Sequence, residues 1–335
     1  MPGVKCPCMY DVITVGSATR DVFLRSRALH PHPSKDALTQ VEACFPFGAK
    51  VDIDEILFET GGGAGNNAAT FARLGKLRTA ALARVGADSA GRDVVEALRR
   101  ERIATRFIQT TKEEPTAYST ILLSEVGERT ILVYRGASRT IESARIPWKS
   151  LSARWFYLSS LGGNLPLLAK LIAHARRTGA QIAMNPGGEE LKRGAAKLRP
   201  LFRTLDWLNV NREEAARLTG APYGNVRAVL KALSDFAPAC LMTDGPRGAY
   251  AVLPKKIIHA KTLGTKPRNV TGAGDAFGSA FVVGLIKKND PDYALRLGIL
   301  NADSVIRGMG AKAGILSQIP SARMLNRVKI QTLKI

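Results

Sequence analysis

Cysteine and histidine are scarce in this chain of 335 residues, with four of each. Cys6, Cys8, Cys44 and Cys240 are too few and too scattered for a disulfide framework. Cys6-x-Cys8 is half of a metal-binding pattern, without a second pair or nearby histidine to complete it. His30, His32 and His259 lie in polar or proline-rich surroundings and His174 in a predicted helix, which argues against a histidine-based metal site or nucleophile. No apolar run reaches the length of a membrane span; the longest candidate, Ala276 to Ile286, is too short and contains two glycines. No hydrophobic leader core precedes Asp11. A cytoplasmic location with no membrane partner is therefore expected. Internal repeats and low-complexity tracts are also missing.

Acidic residues are few beside basic ones: 28 Asp plus Glu against 49 Lys plus Arg, a net charge of +21. That balance invites a nucleic-acid reading. Yet the basic residues come at most in pairs, such as Arg99-Arg100 and Lys287-Lys288, with no basic arm or aromatic-interleaved stripe. A generally basic surface is expected, with no specific nucleic-acid partner. Attraction of a polyanionic substrate or non-specific nucleic-acid contact is the sharper alternative. Apolar residues make up 45% of the chain, which permits a sizeable core.

What is present is organised around Asn269-Val270-Thr271-Gly272-Ala273-Gly274-Asp275-Ala276-Phe277-Gly278. Two glycines one residue apart free the backbone to present successive N–H groups outward. Phe277, Ala280, Phe281, Gly284 and Leu285 follow at helical spacing. The glycines thus stand at a helix start, where unpaired N–H donors and a partial positive charge bind anions. Asp275 would repel an anion; it reads either as a group with chemistry to do beside a phosphate or as an acidic residue that favours the dipole at a tight glycine turn. The stretch is not a P-loop, having no Lys after the glycines. Nor is it a dinucleotide fingerprint, because Phe277 occupies the place of the third glycine.

Along the rest of the chain, Val12 to Gly16 reads as a buried first strand, and Thr19 to Thr60 as an excursion from the core. Gly61-Gly62-Gly63-Ala64-Gly65-Asn66-Asn67 opens a helix that Gly75 stops. Strands are predicted at Thr79 to Val85, Trp155 to Ser159, Gln181 to Asn185, Leu205 to Val210, Cys240 to Thr243 and Ala249 to Leu253. Helices are predicted at Gly91 to Arg102, Leu165 to Arg177, Glu213 to Leu218, Asn225 to Phe236, Ala276 to Lys287 and Asp292 to Gly308, with a weak one near the end. Tyr118 to Ser124 and Arg129 to Tyr134 form a hairpin turning at Glu125-Val126-Gly127-Glu128. Alternating strands and helices mean a mostly parallel sheet covered on both faces, with ligands beyond the carboxyl ends of the strands. Asp21, Asn185, Asn211, Asp244 and Asp275 all fall there. Asn211-Arg212-Glu213-Glu214 reads either as a capping box or as oxygen ligands for a water-held Mg²⁺. Thr243-Asp244-Gly245-Pro246-Arg247-Gly248 reads as a plain turn or as a nucleotide-contacting loop.

With these residues in hand, the chain resembles the ribokinase/PfkB family of carbohydrate and nucleoside kinases over nearly its whole length. Gly61 to Asn66 looks like the N-terminal signature of that family, Asn211 to Glu214 like its N-x-x-E motif, and Thr271 to Asp275 like its C-terminal signature. The resemblance implies an α/β fold: a ribokinase-like doubly wound, mostly parallel sheet with helices on both faces and a small β-sheet lid. It implies one domain, 1–335, with the lid drawn from about 19–60 and 114–135. The implied activity is ATP-dependent phosphorylation of a hydroxymethyl group of a sugar, sugar phosphate or nucleoside. A non-catalytic nucleotide- or sugar-binding regulator is the alternative of a different class.

In the implied site, Asp275 takes the acceptor proton, and the N–H groups of Gly272, Ala273 and Gly274 hold the phosphoryl charge. Asp21, Gly62 and Asn66 grip acceptor hydroxyls, with Asn164 and Arg135 as further acceptor contacts. Asn185, Asn211, Thr243, Gly245, Gly248 and Asn301 serve the nucleotide. Glu214, through water, serves Mg²⁺. A monovalent cation such as K⁺ is usual in the family, and a homodimer through the lid is within its range. Ser159 to Asn164 holds no Glu where ribokinases place a sugar-contacting one, so ribose itself is not implied as acceptor. Arg129 and Arg135 are placed to reach a phosphorylated acceptor. A helix N-terminus should lower the pKa of Asp275, and a loose transition state tolerates the weak base that results.

Overall fold

Val12, Ile13 and Val15 have no exposed surface, because both faces of their strand are covered. Ile13 and Val15 enter one apolar core and Val12 the other. In this computed structural model, which describes residues 10–28, 32–34, 41–42, 44, 48–123 and 129–333, that strand is Tyr10–Val15. Cys6, Cys8, His30 and the turn expected at Glu125 to Glu128 lie outside the described residues.

Tyr10–Val15 belongs to a nine-stranded sheet. Six strands run parallel in the order Thr79–Leu82, Tyr10–Val15, Ala153–Leu158, Gln181–Met184, Trp207–Asn211 and Cys240–Thr243. Ala249–Leu253, Lys256–Ala260 and Ile330–Leu333 continue it antiparallel. Phe156, Leu158, Ile182 and Leu208 pack under the Leu165–Arg177 helix on one face. Trp155, Tyr157, Trp207 and Leu241 pack under Ala273–Lys288 and Pro291–Val305 on the other. Those last two helices lie close because Gly284 has no Cβ; one would fall 2.5 Å from Ala294 Cα.

A separate four-stranded sheet joins Arg129–Tyr134, Ala117–Leu123, Thr19–Arg25 and Glu55–Gly61 in that order. Its inner face carries Phe23, Leu57 and Ile121. Its outer face leaves Ile56, Phe58 and Leu132 exposed.

The stretch expected as one strand from Thr79 to Val85 divides in two. Thr79–Leu82 stays in the large sheet, and Arg84–Gly86 pairs instead with Gln109–Thr111. Short elements unmarked by periodicity also appear: the strands Gln109–Thr111, Lys256–Ala260 and Ile330–Leu333, and the helices Gly188–Leu191 and Ala195–Phe202, the last with Pro200 inside.

Candidate active site

Gly272 caps the Ala273–Lys288 helix with φ 77°, a left-handed conformation that glycine adopts without strain. A Cβ on it would lie 2.6 Å from Ala311 Cβ. The turn is held by Thr271 N–H donating to Asn269 Oδ1 (2.8 Å) and Ala273 N–H to the Val270 carbonyl (3.2 Å). Ala273 therefore spends its amide inside the turn. Among the described residues, no acceptor is bonded to the amides of Gly272, Gly274 or Asp275. Of the expected Gly272, Ala273 and Gly274, the first and last keep free amides, Ala273 does not, and Asp275 adds one.

Asp275 is partly buried in the first turn. Asn66 Nδ2 donates to its Oδ2 at 2.9 Å, and Asn67 Nδ2 to its Oδ1 at 3.3 Å. Both come from the Gly63–Arg73 helix, whose cap Gly62 has φ 85°. A Cβ on Gly62 would lie 2.5 Å from the Ser17 carbonyl oxygen, so the close approach needs glycine. Asn67 also reaches Ser159 Oγ at 3.1 Å. Burial raises the Asp275 pKa above the ordinary carboxylate range; the two Asn bonds oppose it and the charge of Asp21 adds to it. This corrects the expectation of a lowered value: losing water outweighs the helix terminus.

Asp21 stands on the Thr19–Arg25 strand, 6% exposed, and accepts from Thr19 Oγ1 at 2.8 Å. Burial raises its pKa too, against bonds from Thr19 and Ser119 and the positive charges of Lys312 and Arg20. A Cβ on Gly61 would fall 1.9 Å from Asp21 Oδ2, so the first glycine of the triplet makes room for this carboxylate. Glu214 is raised by burial, with Glu213 and Asp275 adding and the Asn211 N–H opposing.

Asn211 and Glu214 form the capping box: Asn211 Oδ1 accepts from Glu214 N–H, and Glu214 Oε2 from Asn211 N–H, both at 2.8 Å. Thr243, Gly245 and Gly248 line a cavity of about 470 Å³ with Ala273, Gly274 and Phe277. Gly248 is fixed there by φ 103° and a Cβ position 2.0 Å from the Ala260 carbonyl oxygen. Asn185 Nδ2 donates to the Asn209 carbonyl at 2.8 Å.

Three expected site residues are held elsewhere. Asn301 is fully buried, donating to the Ala276 carbonyl and accepting from Leu316 N–H, and does not line the cavity. Asn164 caps the Leu165–Arg177 helix through Leu167 N–H and lines a different hollow beside Arg139, Arg193 and Lys197. Arg135 is exposed, with a guanidinium nitrogen 3.9 Å from Glu189.

Sequence reasoning assigned nothing to Asn67 or Glu190. Glu190 is buried and accepts from the amides of Leu161, Gly163 and Gly187 and from Ser160 Oγ, so it organises the loop after Ala153–Leu158 from behind. Its only sequence signal is a position three residues beyond a glycine helix cap.

A mostly parallel α/β sheet, a glycine turn with free amides, a carboxylate beside it and an adjoining apolar cavity thus come together in one molecule. The description of pfkB family carbohydrate kinases matches residues 15–318, and the chain belongs to that family. It is similar to the ribokinase of Haemophilus influenzae, 25% identical over 76% of this chain and 83% of that protein. It is likewise similar to the ribokinase of Mus musculus, 27% identical over 69% and 72%. In fold it resembles Arabidopsis thaliana ribokinase complexed with ribose and ATP (TM-score 0.76, 20% identity, 92% and 96% covered). It also resembles a Burkholderia thailandensis nucleoside kinase in complex with inosine (TM-score 0.72, 17% identity, 94% and 96% covered). The enzyme class is that of a carbohydrate kinase.

Proposed function

We propose that this protein transfers the terminal phosphoryl group of ATP to a hydroxymethyl group of a sugar or nucleoside, which can already carry a phosphate. The observation that carries this is Asp275 lying beside three unbonded amides, in a turn that also lines the 470 Å³ cavity. The ribose, ATP and inosine of the related structures support it. In this reading the acceptor hydroxyl gives its proton to Asp275 as its oxygen bonds to phosphorus, and ADP departs with the electron pair of the broken P–O bond. The amides of Gly272, Gly274 and Asp275 meet the charge on the transferring group. Asp21 and Asn66 hold acceptor hydroxyls, and Gly62 lets them approach. Thr243, Gly245 and Gly248 hold the nucleotide, with Asn185 and Asn211 at its phosphate end.

The charge of Asp275 adds to burial in disfavouring the ionised form of Glu214, and a divalent cation held near Glu214 would relieve that. Among the described residues no group of three or more metal-ligating side chains gathers, which suits Mg²⁺ held mainly by water and nucleotide phosphates. Glu214 would hold it through water, and it would neutralise phosphate charge. For a monovalent cation, the buried Thr271 hydroxyl is an unpartnered oxygen in the same turn.

The four-stranded sheet serves as the lid of a single domain, and its exposed outer face as the contact of a homodimer. Among the described residues no helix is long and apolar enough to cross a membrane, which accords with a cytoplasmic enzyme.

The test is ADP release from ATP and Mg²⁺ over a panel of sugars, sugar phosphates and nucleosides. Turnover with at least one acceptor, lost in Asp275→Asn, is expected. Nucleotide binding without ADP release for any acceptor would overturn the reading in favour of a regulator.

A further inference from the structure

The cavity of about 470 Å³ has a neutral, largely apolar wall with one exception, Asp303. Asp303 stands in the last turn of Pro291–Val305 and is 9% exposed. Its neighbours in the wall, Ile299, Ala302 and Ile306, offer nothing to a carboxylate. Arg307 approaches from one side only. Its Nε and Nη2 donate to Asp303 Oδ2, at 3.2 and 2.7 Å. The same Nη2 donates to Thr265 Oγ1 at 2.7 Å, on the loop that covers the cavity. Arg307 itself is half exposed, so it sits at the rim and holds Asp303 in place. Among the described residues, no donor is bonded to Asp303 Oδ1.

Asp303 Oδ1 is not shut off from solvent, so it stands in the cavity wall as an open, charged acceptor that a donor on a ligand can reach. An ion pair made only for stability would be better placed outside an apolar cavity wall. We infer that Asp303 Oδ1 accepts a hydrogen bond from the nucleoside part of the bound nucleotide and thereby selects the phosphoryl donor. This rests on the reading of the cavity as the nucleotide site. The polyphosphate is excluded as the partner because it carries the same sign of charge. Two groups on a nucleoside can donate: an exocyclic amine of the base, and a ribose hydroxyl. An oxo group in place of the amine would set an acceptor against an acceptor, and such a nucleotide would be rejected.

Arg307 makes the reading sharp. It needs an oxygen to bind, so in Asp303→Asn it would keep the amide oxygen on its own side. The amide NH₂ would then face the cavity, turning an acceptor into a donor. A base amine would be repelled and an oxo group welcomed.

Calorimetric binding of ADP, IDP and 2′-deoxy-ADP tests this without requiring turnover. Wild type should favour ADP over at least one analogue by about 10- to 100-fold, the range of a hydrogen bond to a charged group. If the base amine is the partner, the ADP-to-IDP ratio falls at least tenfold in Asp303→Asn. If a ribose hydroxyl is the partner, the ADP-to-2′-deoxy-ADP ratio collapses in Asp303→Ala while the IDP ratio stays put. Thermal melts confirm that both variants fold; should either fail, Arg307→Met, which frees Asp303 to turn away, replaces it and should weaken the same ratio. Ratios identical in wild type and variants overturn the inference and leave the kinase reading standing. Failure of wild type to bind any of the three nucleotides overturns both, and so tells the two failures apart.

Discussion

Asp275 shows how a single carboxylate is tuned by opposing effects. Burial raises its pKa and the amides of Asn66 and Asn67 lower it. A base in this position should be protonated, and the enzyme slow, at a pH above the ordinary carboxylate range. Asp275→Asn should cut kcat by about 10²- to 10⁴-fold, the usual contribution of a general base, with ADP affinity by calorimetry changed little. Asn67→Ala removes a bond that favours the ionised form, so the acid limb of the kcat/KM profile should move to higher pH. A limb that stays in place would mean another group titrates there. The same shift links to stability. The folded state holds the Asp275 proton more tightly than the unfolded chain, so this group's contribution is fullest in acid and is lost as pH rises through its raised pKa. Melting curves of Asp275→Asn against wild type should therefore diverge in favour of the variant as pH rises through the raised pKa. Asn66 was legible because it closes a glycine run at a helix start. Asn67 was not, since neighbours on a helix point about 100° apart and would not both be expected to reach one site; they do so by taking different oxygens of Asp275. Asn301, implied by the resemblance alone, is held by Ala276 and Leu316, partners that no local pattern around it announces.

At the scale of elements, what was legible was whatever carried a long period or a glycine with a steric reason. Leu165–Arg177 and Cys240–Thr243 appear with the bounds expected of them, since each has a clean apolar pattern between turn residues. Lys256–Ala260 and Ile330–Leu333 escaped because they are short edge pairings set by neighbours distant in sequence. The glycine turn was legible in position but not in detail: which amides stay free depends on the Val270 carbonyl closing the turn onto Ala273. That detail predicts the behaviour of Gly272→Ala. A left-handed backbone costs about 1–2 kcal/mol with a side chain, and the new Cβ meets Ala311 at 2.6 Å. The turn must move, carrying the free amides with it. Melting temperature should fall by a few degrees and kcat should drop at least tenfold, measured by ADP release. Gly274→Ala makes the control: no atom lies within 4 Å of a Cβ placed there, so the fold should hold.

At the scale of the molecule, the basic composition promised a charged surface, yet the outer face of the four-stranded sheet is an apolar row. Phe58, Val22, Thr120 and Leu132 stand side by side across its four strands. Phe58 and Leu132 are 51% and 56% exposed, with Ile56 and Tyr134 also exposed on the same face, while Val22 between them is buried. Alternation along each strand hides this face in the sequence, because each strand contributes only one or two members and the row exists only once register is set. Arg20 covers part of it, its guanidinium 5.1 Å from the Phe58 ring and 3.4 Å from Asp93 of the Ser89–Arg100 helix, which lies against the Thr19–Arg25 strand. An exposed apolar sheet face is an association surface. A second copy is the partner proposed, since the two-fold pairing of one face with itself brings four such strands against four and removes both rows from water at once. Phe58→Glu combined with Leu132→Glu puts carboxylates into that contact without touching the inner face where Phe23 and Ile121 pack. Sedimentation at micromolar concentrations should show a wild-type dimer and a monomeric variant, each with the melting behaviour of an intact fold. A wild type that sediments as a monomer would leave the apolar row unexplained by self-association and would separate the lid from any role in assembly.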